Sequence, residues 1–351
     1  MAADDYGHAG DALTITERRP AADTTRGGVR GRHLALAAVG LLVASYLSLT
    51  VAVVPIPLRD LFSPSPEQWQ LLTLSRIPRV LSILLAGAAL SVAGLIMQRI
   101  TQNSFVSPST SGTTEAAILG VLIATMFTPG ESLLIKMTLA IAVSLAGTFG
   151  FLAILRRMPH REPIVVALVG LMYGGIIGAV TVFIAYQLDL LQLLEIWSSG
   201  SFSAAMAGQY EPLFLVLLVG AVGYAYADRF TVVGMGREFA TNLGVSYQSV
   251  LNIGIVVVSV MAAVVIVVVG AIPFLGLIVP NVVSLLMGDQ VRRALPVTAL
   301  AGAGFVLVCD VLGRIVRFPY EVPVGTVAGV IGAGVFIWLV LRSAAGKEAH
   351  G

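Results

Sequence analysis

From Leu34 to Leu341 the chain is a series of apolar runs, many of them about twenty residues long, separated by short polar stretches, and this recurrence constrains the fold more than any motif. Coiled as a helix, such a run matches the hydrocarbon thickness of a bilayer, where every backbone polar group must be satisfied internally. Only 11% of the residues are charged while 57% are hydrophobic, against about 25% charged in a soluble domain. The length leaves room for about eight to ten spans. The 37 Gly and 16 Pro fit close helix packing and broken membrane helices. The expected fold is an all-α polytopic membrane protein with about ten transmembrane helices.

Taken in order, residues 1–33 are polar, carry five arginines and have no hydrophobic period, which reads as a disordered cytoplasmic tail. Leu34–Val54 is too long for the apolar core of a signal peptide and lacks a small-residue cleavage site, so it is taken as the first span. Further spans are expected near Val80–Met97, at Ala116–Phe127, up to Arg156-Arg157, and at Ile164–Tyr186. The remaining ones end at Ala227, cover Val250–Val269 and Leu277–Met287, end near Asp310, and cover Val324–Leu341. The membrane-spanning body is therefore 34–342, and residues 343–351 read as a cytoplasmic C-terminal tail. With both termini inside, six of the 21 basic residues fall outside, namely Arg59, Arg76, Arg79, Lys136, Arg314 and Arg317, and the other fifteen fall inside. The positive-inside rule is satisfied. On this count the turn-rich segment from Asn103 to Gly112 is a cytoplasmic loop.

Several chemistries are excluded. The single cysteine, Cys309, permits no internal disulfide, and the four histidines, in tails or loops, make no ligand spacing, so no metal site is expected. The two lysines, Lys136 and Lys347, are followed by Met137 and Glu348, so no phosphate-binding loop ending in Lys-Ser or Lys-Thr exists and this chain binds no ATP by that route. A net charge of +2 spread over short loops offers no nucleic-acid patch. Glu115 and Asp310 read as span-end residues, leaving no central acid for a proton-coupled secondary transporter, and no nucleophile and base share a span as a membrane enzyme needs.

Three features stand out against this background. Residues 229–249 are a moderately polar cytoplasmic island whose centre, from Gly236 to Gly244, reads as a short helix between glycines. Phe239 and Leu243 share a face, with Val233 or Met235 able to extend it, so the island is either a plain linker or a docking knob for a soluble partner. Gly170, Gly174 and Gly178 make overlapping small-xxx-small repeats, which serve either packing within the chain or a subunit interface. Leu74-Ser75-Arg76-Ile77-Pro78-Arg79 is echoed by Leu312-Gly313-Arg314-Ile315-Val316-Arg317 at the outer ends of two spans, where arginines either snorkel or bind, and Asp310 is spaced to pair with Arg314.

A set of segments together resembles the permease family of ATP-binding-cassette (ABC) importers for iron-siderophores, haem and cobalamin. They are Arg76-Ile77-Pro78-Arg79 with Leu85-Ala86-Gly87-Ala88-Ala89-Leu90, the Gly236 to Gly244 island, Gly270-Ala271-Ile272-Pro273-Phe274-Leu275-Gly276-Leu277-Ile278-Val279-Pro280-Asn281, Asp310 with Arg314, and Glu321-Val322-Pro323-Val324-Gly325. The resemblance covers nearly everything after the N-terminal tail. It departs at Asn103-Ser104-Phe105-Val106, where the family usually has Asn-Pro-Leu-Ala, and at Asn281, where many members have His.

The resemblance implies a type II ABC importer permease in the bacterial cytoplasmic membrane, paired with a second copy or a homologous permease. Two cytoplasmic ATPase subunits would hold the ATP and Mg, no cofactor being bound by this chain, and an extracytoplasmic lipoprotein or periplasmic binding protein would deliver the cargo. It assigns coupling to the ATPase to Gly236, Arg237, Glu238, Phe239, Leu243 and Gly244, and docking of the binding protein to Arg76, Arg79 and Arg314. It assigns the inner gate and path to Asn103, Phe105, Gly170, Gly174 and Gly178, with Gly325 and Gly329 bordering the path. The motif from Ile272 to Asn281 resembles the ferric-siderophore branch more than the cobalamin one.

Overall fold

A computed structural model of the protein describes residues 31–51, 56–57, 59–61, 63–128, 130, 132–158 and 162–348. The expected tail over residues 1–30, the end of the first expected span at 52–54, the loop residues His160 and Arg161, and residues 349–351 lie outside the described residues.

Helices and connecting segments account for the described residues, with no strand among them. In chain order they are α1 (Gly31–Ser48), α2 (Pro66–Leu71), α3 (Ile77–Thr101), α4 (Thr113–Phe127), α5 (Leu133–Arg157), α6 (Pro163–Gln187) and α7 (Leu191–Ser199). There follow α8 (Leu215–Ala225), α9 (Ala227–Gly234), α10 (Arg237–Asn242), α11 (Tyr247–Val269), α12 (Leu275–Met287), α13 (Val291–Val316) and α14 (Val324–Glu348). Five helical stretches are long and apolar enough to cross a membrane, six if the bent pair α8–α9 is one span, and α1, α4, α12 and α14 supply four shorter apolar helices, which brings the total to ten. Two expected boundaries move: α1 starts at Gly31 inside the expected tail, and α14 continues to Glu348 beyond residue 342.

Helices α3 and α11 form the centre, each with 72% of its most apolar window buried, whereas the corresponding figure for α6 is 22%. Between apolar helices in lipid, close backbone approach and dispersion replace the hydrophobic effect as the cohesive force, and glycines permit that approach here. A Cβ on Gly94 of α3 would stand 1.9 Å from the carbonyl oxygen of Gly276 in α12, and one on Gly87 would stand 2.6 Å from that of Gly302 in α13.

The main departure from the sequence expectation is the segment 102–112, which is largely buried among the helices rather than an open loop. Asn103, Val106, Ser107, Pro108, Ser111 and Gly112 are buried. A helix of fifteen residues is only about 22 Å long, short of the roughly 30 Å hydrocarbon core, so α4 cannot begin at the inner surface and also reach the outer one. It begins instead at mid-depth, and hydroxyl contacts locate that level. Thr113 Oγ1 lies 2.9 Å from Thr148 Oγ1, Ser259 Oγ donates to Thr148 Oγ1 at 2.9 Å, and Ser144 Oγ donates to the Thr113 carbonyl at 3.3 Å. Ser144 and Thr148 sit at the middle of α5 and Ser259 at the middle of α11. Non-helical backbone is tolerated at this depth because it is buried in protein with its polar groups satisfied.

Candidate functional site

At the outer end the arginines are held rather than presented. Asp310 of α13 is 1% exposed and Arg314, one turn on, places Nη2 2.6 Å from Asp310 Oδ2, the pairing expected from their spacing. That contact is ionic, without hydrogen-bond alignment at Oδ2. Arg79 of α3 donates Nη2 and Nε to Asp310 Oδ1 at 2.8 and 3.2 Å and Nη1 to Glu321 Oε1 at 2.9 Å. Arg314 also donates to the Ser48 carbonyl at 3.1 Å and to the Val51 carbonyl, while Arg76 donates to the Leu49 carbonyl. The two echoed motifs therefore meet at the C-terminal end of α1, whose orphan carbonyls accept from both guanidiniums. Arg76 and Arg314 are 7% and 8% exposed and the Arg79 side chain 17%, so these three guanidiniums are largely enclosed within the chain. Arg59 and Arg317 are the exposed arginines of this end, Arg317 lying 5.8 Å from the centre of the Tyr320 ring.

The Gly270–Gly276 and Glu321–Gly325 motifs meet beside this cluster. Gly325 N donates to the Gly200 carbonyl at 3.0 Å and Ala271 N to the Trp197 carbonyl at 2.8 Å, which ties α7 down over the start of α14. Gly325 permits this, since a Cβ there would stand 2.1 Å from the Ser199 carbonyl oxygen.

At the inner end the expected short helix is α10, flanked by Gly236 at φ 115° and Gly244 at φ 72°, a region where a side chain strains the backbone. Phe239 and Leu243 are 44% and 58% exposed, and Met235, at 62%, continues the apolar face. Val233 does not, because it belongs to α9 and is fully buried with Phe230 and Ala227. Arg237 and Glu238 are exposed beside the knob. The chain reaches it through a 58° bend between α8 and α9, so the island is two short helices rather than one knob.

The knob is wired to segment 102–112. Gln102 Nε2 donates to the Val233 carbonyl at 3.2 Å, and Arg99 Nη1 lies 2.8 Å from Asp289 Oδ1 in the turn between α12 and α13. Asn103 donates to the Pro163 carbonyl at the start of α6 at 2.9 Å and accepts from Phe105 N at 2.9 Å. Phe105 meets Phe336 of α14 edge to face at 6.1 Å. Asn281 Nδ2 donates to the Ser104 and Leu277 carbonyls, each at 2.8 Å, so the residue that departs from the usual His clamps the segment to α12.

The glycines of α6 face the same segment. A Cβ on Gly170 would stand 2.2 Å from the Thr110 carbonyl oxygen and one on Gly174 3.2 Å from Gly112 Cα, which settles those two for packing within the chain. Gly178 instead opens on a cleft of about 360 Å³ between α4, α6, α7 and the 270–273 loop. Glu115 lines this cleft and its Oε2 is buried without a hydrogen-bond partner. Two residues into α4, it lies near mid-depth, not at the end of a full-length span. The turn formers before it disguised that position in the sequence.

Residues 40–342 of the chain match the FecCD transport family. The chain belongs to that family. Its FecCD relatives include the petrobactin import system permease protein of Bacillus subtilis, 45% identical over 302 residues that cover 86% of this chain and 96% of the relative. The ferric-anguibactin transport system permease protein of Vibrio anguillarum is 40% identical over 278 residues, covering 79% of this chain and 88% of that one. A solved inward-facing ABC transporter assigned to the metal-chelate type superposes with a TM-score of 0.77 at 24% identity, over 89% of this chain and 100% of that one. At that identity the likeness speaks for the fold alone. This FecCD chain is thus a membrane transport subunit rather than an enzyme.

Proposed function

We propose that this chain is the permease subunit of an ABC importer that passes a ferric siderophore inward across the bacterial cytoplasmic membrane, with both termini in the cytoplasm. The observation that carries the reading is the exposed α9–α10 element joined by Gln102 to the buried 102–112 segment. A partner seated on that element can move the segment without touching it. The siderophore as cargo is supported by the petrobactin and anguibactin relatives, whose identities reach 45% and 40%.

In this reading two ATPase subunits, which hold the ATP and Mg, take Phe239 and Leu243 into a cleft, and Gly236 and Gly244 set the angle at which Arg237 and Glu238 meet them. Asn103 and Phe105 form the inner gate. Gly170 and Gly174 let α6 close against it, and Gly178 lines the path. A second permease, identical or homologous, covers α6, whose most apolar window is only 22% buried. An extracytoplasmic binding protein docks over the outer end. There its acidic groups would have to compete with Asp310 and Glu321 for Arg79, with Asp310 for Arg314 and with the Leu49 carbonyl for Arg76, so docking rearranges that cluster.

The test is uptake of ferric siderophore into vesicles holding the permease, the ATPase and the loaded binding protein. ATP-dependent uptake supports the reading. Uptake driven by an ion gradient without the ATPase rejects it, and uptake of cobalamin or haem alone reassigns the cargo.

A further inference from the structure

We propose that the cleft at Glu115 is a cargo subsite for a cationic, donor-bearing arm, such as a protonated amine, of the iron chelate. The inference rests on the importer reading above and names a feature of the cargo that reading leaves open.

The one ionisable group of the cleft is an acceptor. Glu115 Oε2 is buried with no hydrogen-bond partner, and no ion pair to Glu115 forms among the described residues. Leaving such an oxygen unmet in an apolar surrounding is costly, and a proton or a donor that comes and goes relieves that cost. Two of the four hydroxyls that line the cleft have committed their protons to their own helices. Thr181 Oγ1 donates to the Ile177 carbonyl at 2.8 Å and Ser198 Oγ to the Glu195 carbonyl at 3.1 Å. Each therefore turns lone pairs toward the space. A carboxylate with two hydroxyl acceptors selects a donor, and a charged donor most strongly.

Size and position narrow the ligand class. A space of about 360 Å³ lies in the range of sites for organic ligands, roughly 300–1,000 Å³, and far exceeds a bare ion. Ile118, Ile272 and Pro273 supply apolar wall around the acceptors, as such sites require. At mid-depth a lone carboxylate repels an anionic chelate, so a cargo that crosses here benefits from a positive arm that meets Glu115 first. The cleft runs from the start of α4 toward α7 at the outer end, which puts the subsite above the gate at Asn103 and Phe105.

The experiment uses the complete transporter, permease with ATPase and binding protein, in vesicles of phosphatidylcholine and phosphatidylglycerol, so that no lipid amine competes. Two cargoes are compared, each preloaded on the binding protein: a ferric catecholate with a free amine arm and the same chelate with that amine acetylated. The wild type is expected to move the amine form about tenfold faster or more, the effect of one charge-assisted hydrogen bond. In Glu115→Gln the ratio should fall to within about twofold, and Glu115→Asp should keep a preference. Equal rates for the two chelates in the wild type overturn the subsite whatever the variants do, as does an unchanged ratio in Glu115→Gln. Movement of neither chelate by a complex that takes up another ferric siderophore overturns the subsite alone, and uptake of no ferric siderophore rejects the importer reading and the subsite with it.

Discussion

Arg79 and Asp310, 231 residues apart in sequence, are joined by two hydrogen bonds from one guanidinium, at 2.8 and 3.2 Å to a single carboxylate oxygen. The carboxylate is shared, since Arg314 touches its other oxygen at 2.6 Å. One buried acid thus balances two arginines and fixes α3, α13 and the end of α1 to one another. Truncating the shared acid should be worse than truncating one arginine, because it strands the buried Arg314 and leaves Arg79 with Glu321 alone. Asp310→Ala is expected to lower stability by about 3–5 kcal/mol, seen as a fall in Tm in detergent. Arg79→Met should cost less, because Arg314 remains to balance Asp310. Equal Tm shifts for the two variants would show that the acid is not the hub.

Gly94 and Gly276 carry the tightest backbone approach described above, 1.9 Å from an added Cβ to a carbonyl oxygen. Backbone cannot yield as a flexible side chain can, so Gly94→Ala must push α3 away from α12. The expected result is loss of most folded protein in detergent size-exclusion chromatography. Gly40→Ala in α1, where nothing lies within 4 Å of the added atom, is the control and should be neutral. A normal yield of Gly94→Ala would contradict the close packing.

Phe239 and Leu243 are exposed on a short helix whose buried anchor is Ala240. Replacing either by Ala removes little packing within this chain, so Tm should move by no more than about 0.5 kcal/mol equivalent. Binding of the ATPase should weaken about tenfold or more if each fills a pocket on the partner. Co-purification with the ATPase measures the second effect and a melting curve the first. Weakened assembly accompanied by a large fall in Tm would point to a folding role instead.

Much of this was legible from residue order. The apolar runs mark all ten helical segments because a bilayer leaves few alternatives to a helix, and the glycine-bounded island marks α10 because helix ends have local chemistry. The pairing of Asp310 with Arg314 follows from a spacing of four. What could not be read was tertiary. Ser107-Pro108 and Gly112 form turns wherever they lie, so nothing local says that segment 102–112 folds back to mid-depth and carries Glu115 with it. Likewise the partners of Arg76 and Arg314 are carbonyls at the end of α1, and a carbonyl has no sequence signature.

Gln102 offers a way to separate stability from coupling. It closes α3 in the left-handed conformation, φ 53°, which costs a residue with a Cβ about 1–2 kcal/mol, while its side chain reaches the Val233 carbonyl of α9 at 3.2 Å. Glycine at this position relieves the backbone and deletes the reach. Gln102→Gly is therefore expected to melt no lower than the wild type. If α9–α10 docks the ATPase and segment 102–112 gates the path, as proposed, loss of this link should raise the ATP hydrolysed per cargo molecule moved. Gln102→Asn keeps tolerance for the left-handed turn but is one methylene too short to reach Val233, so it should uncouple in the same way. Tight coupling in both variants, measured as ATP consumed per chelate taken up in vesicles, would mean that the signal passes by another contact.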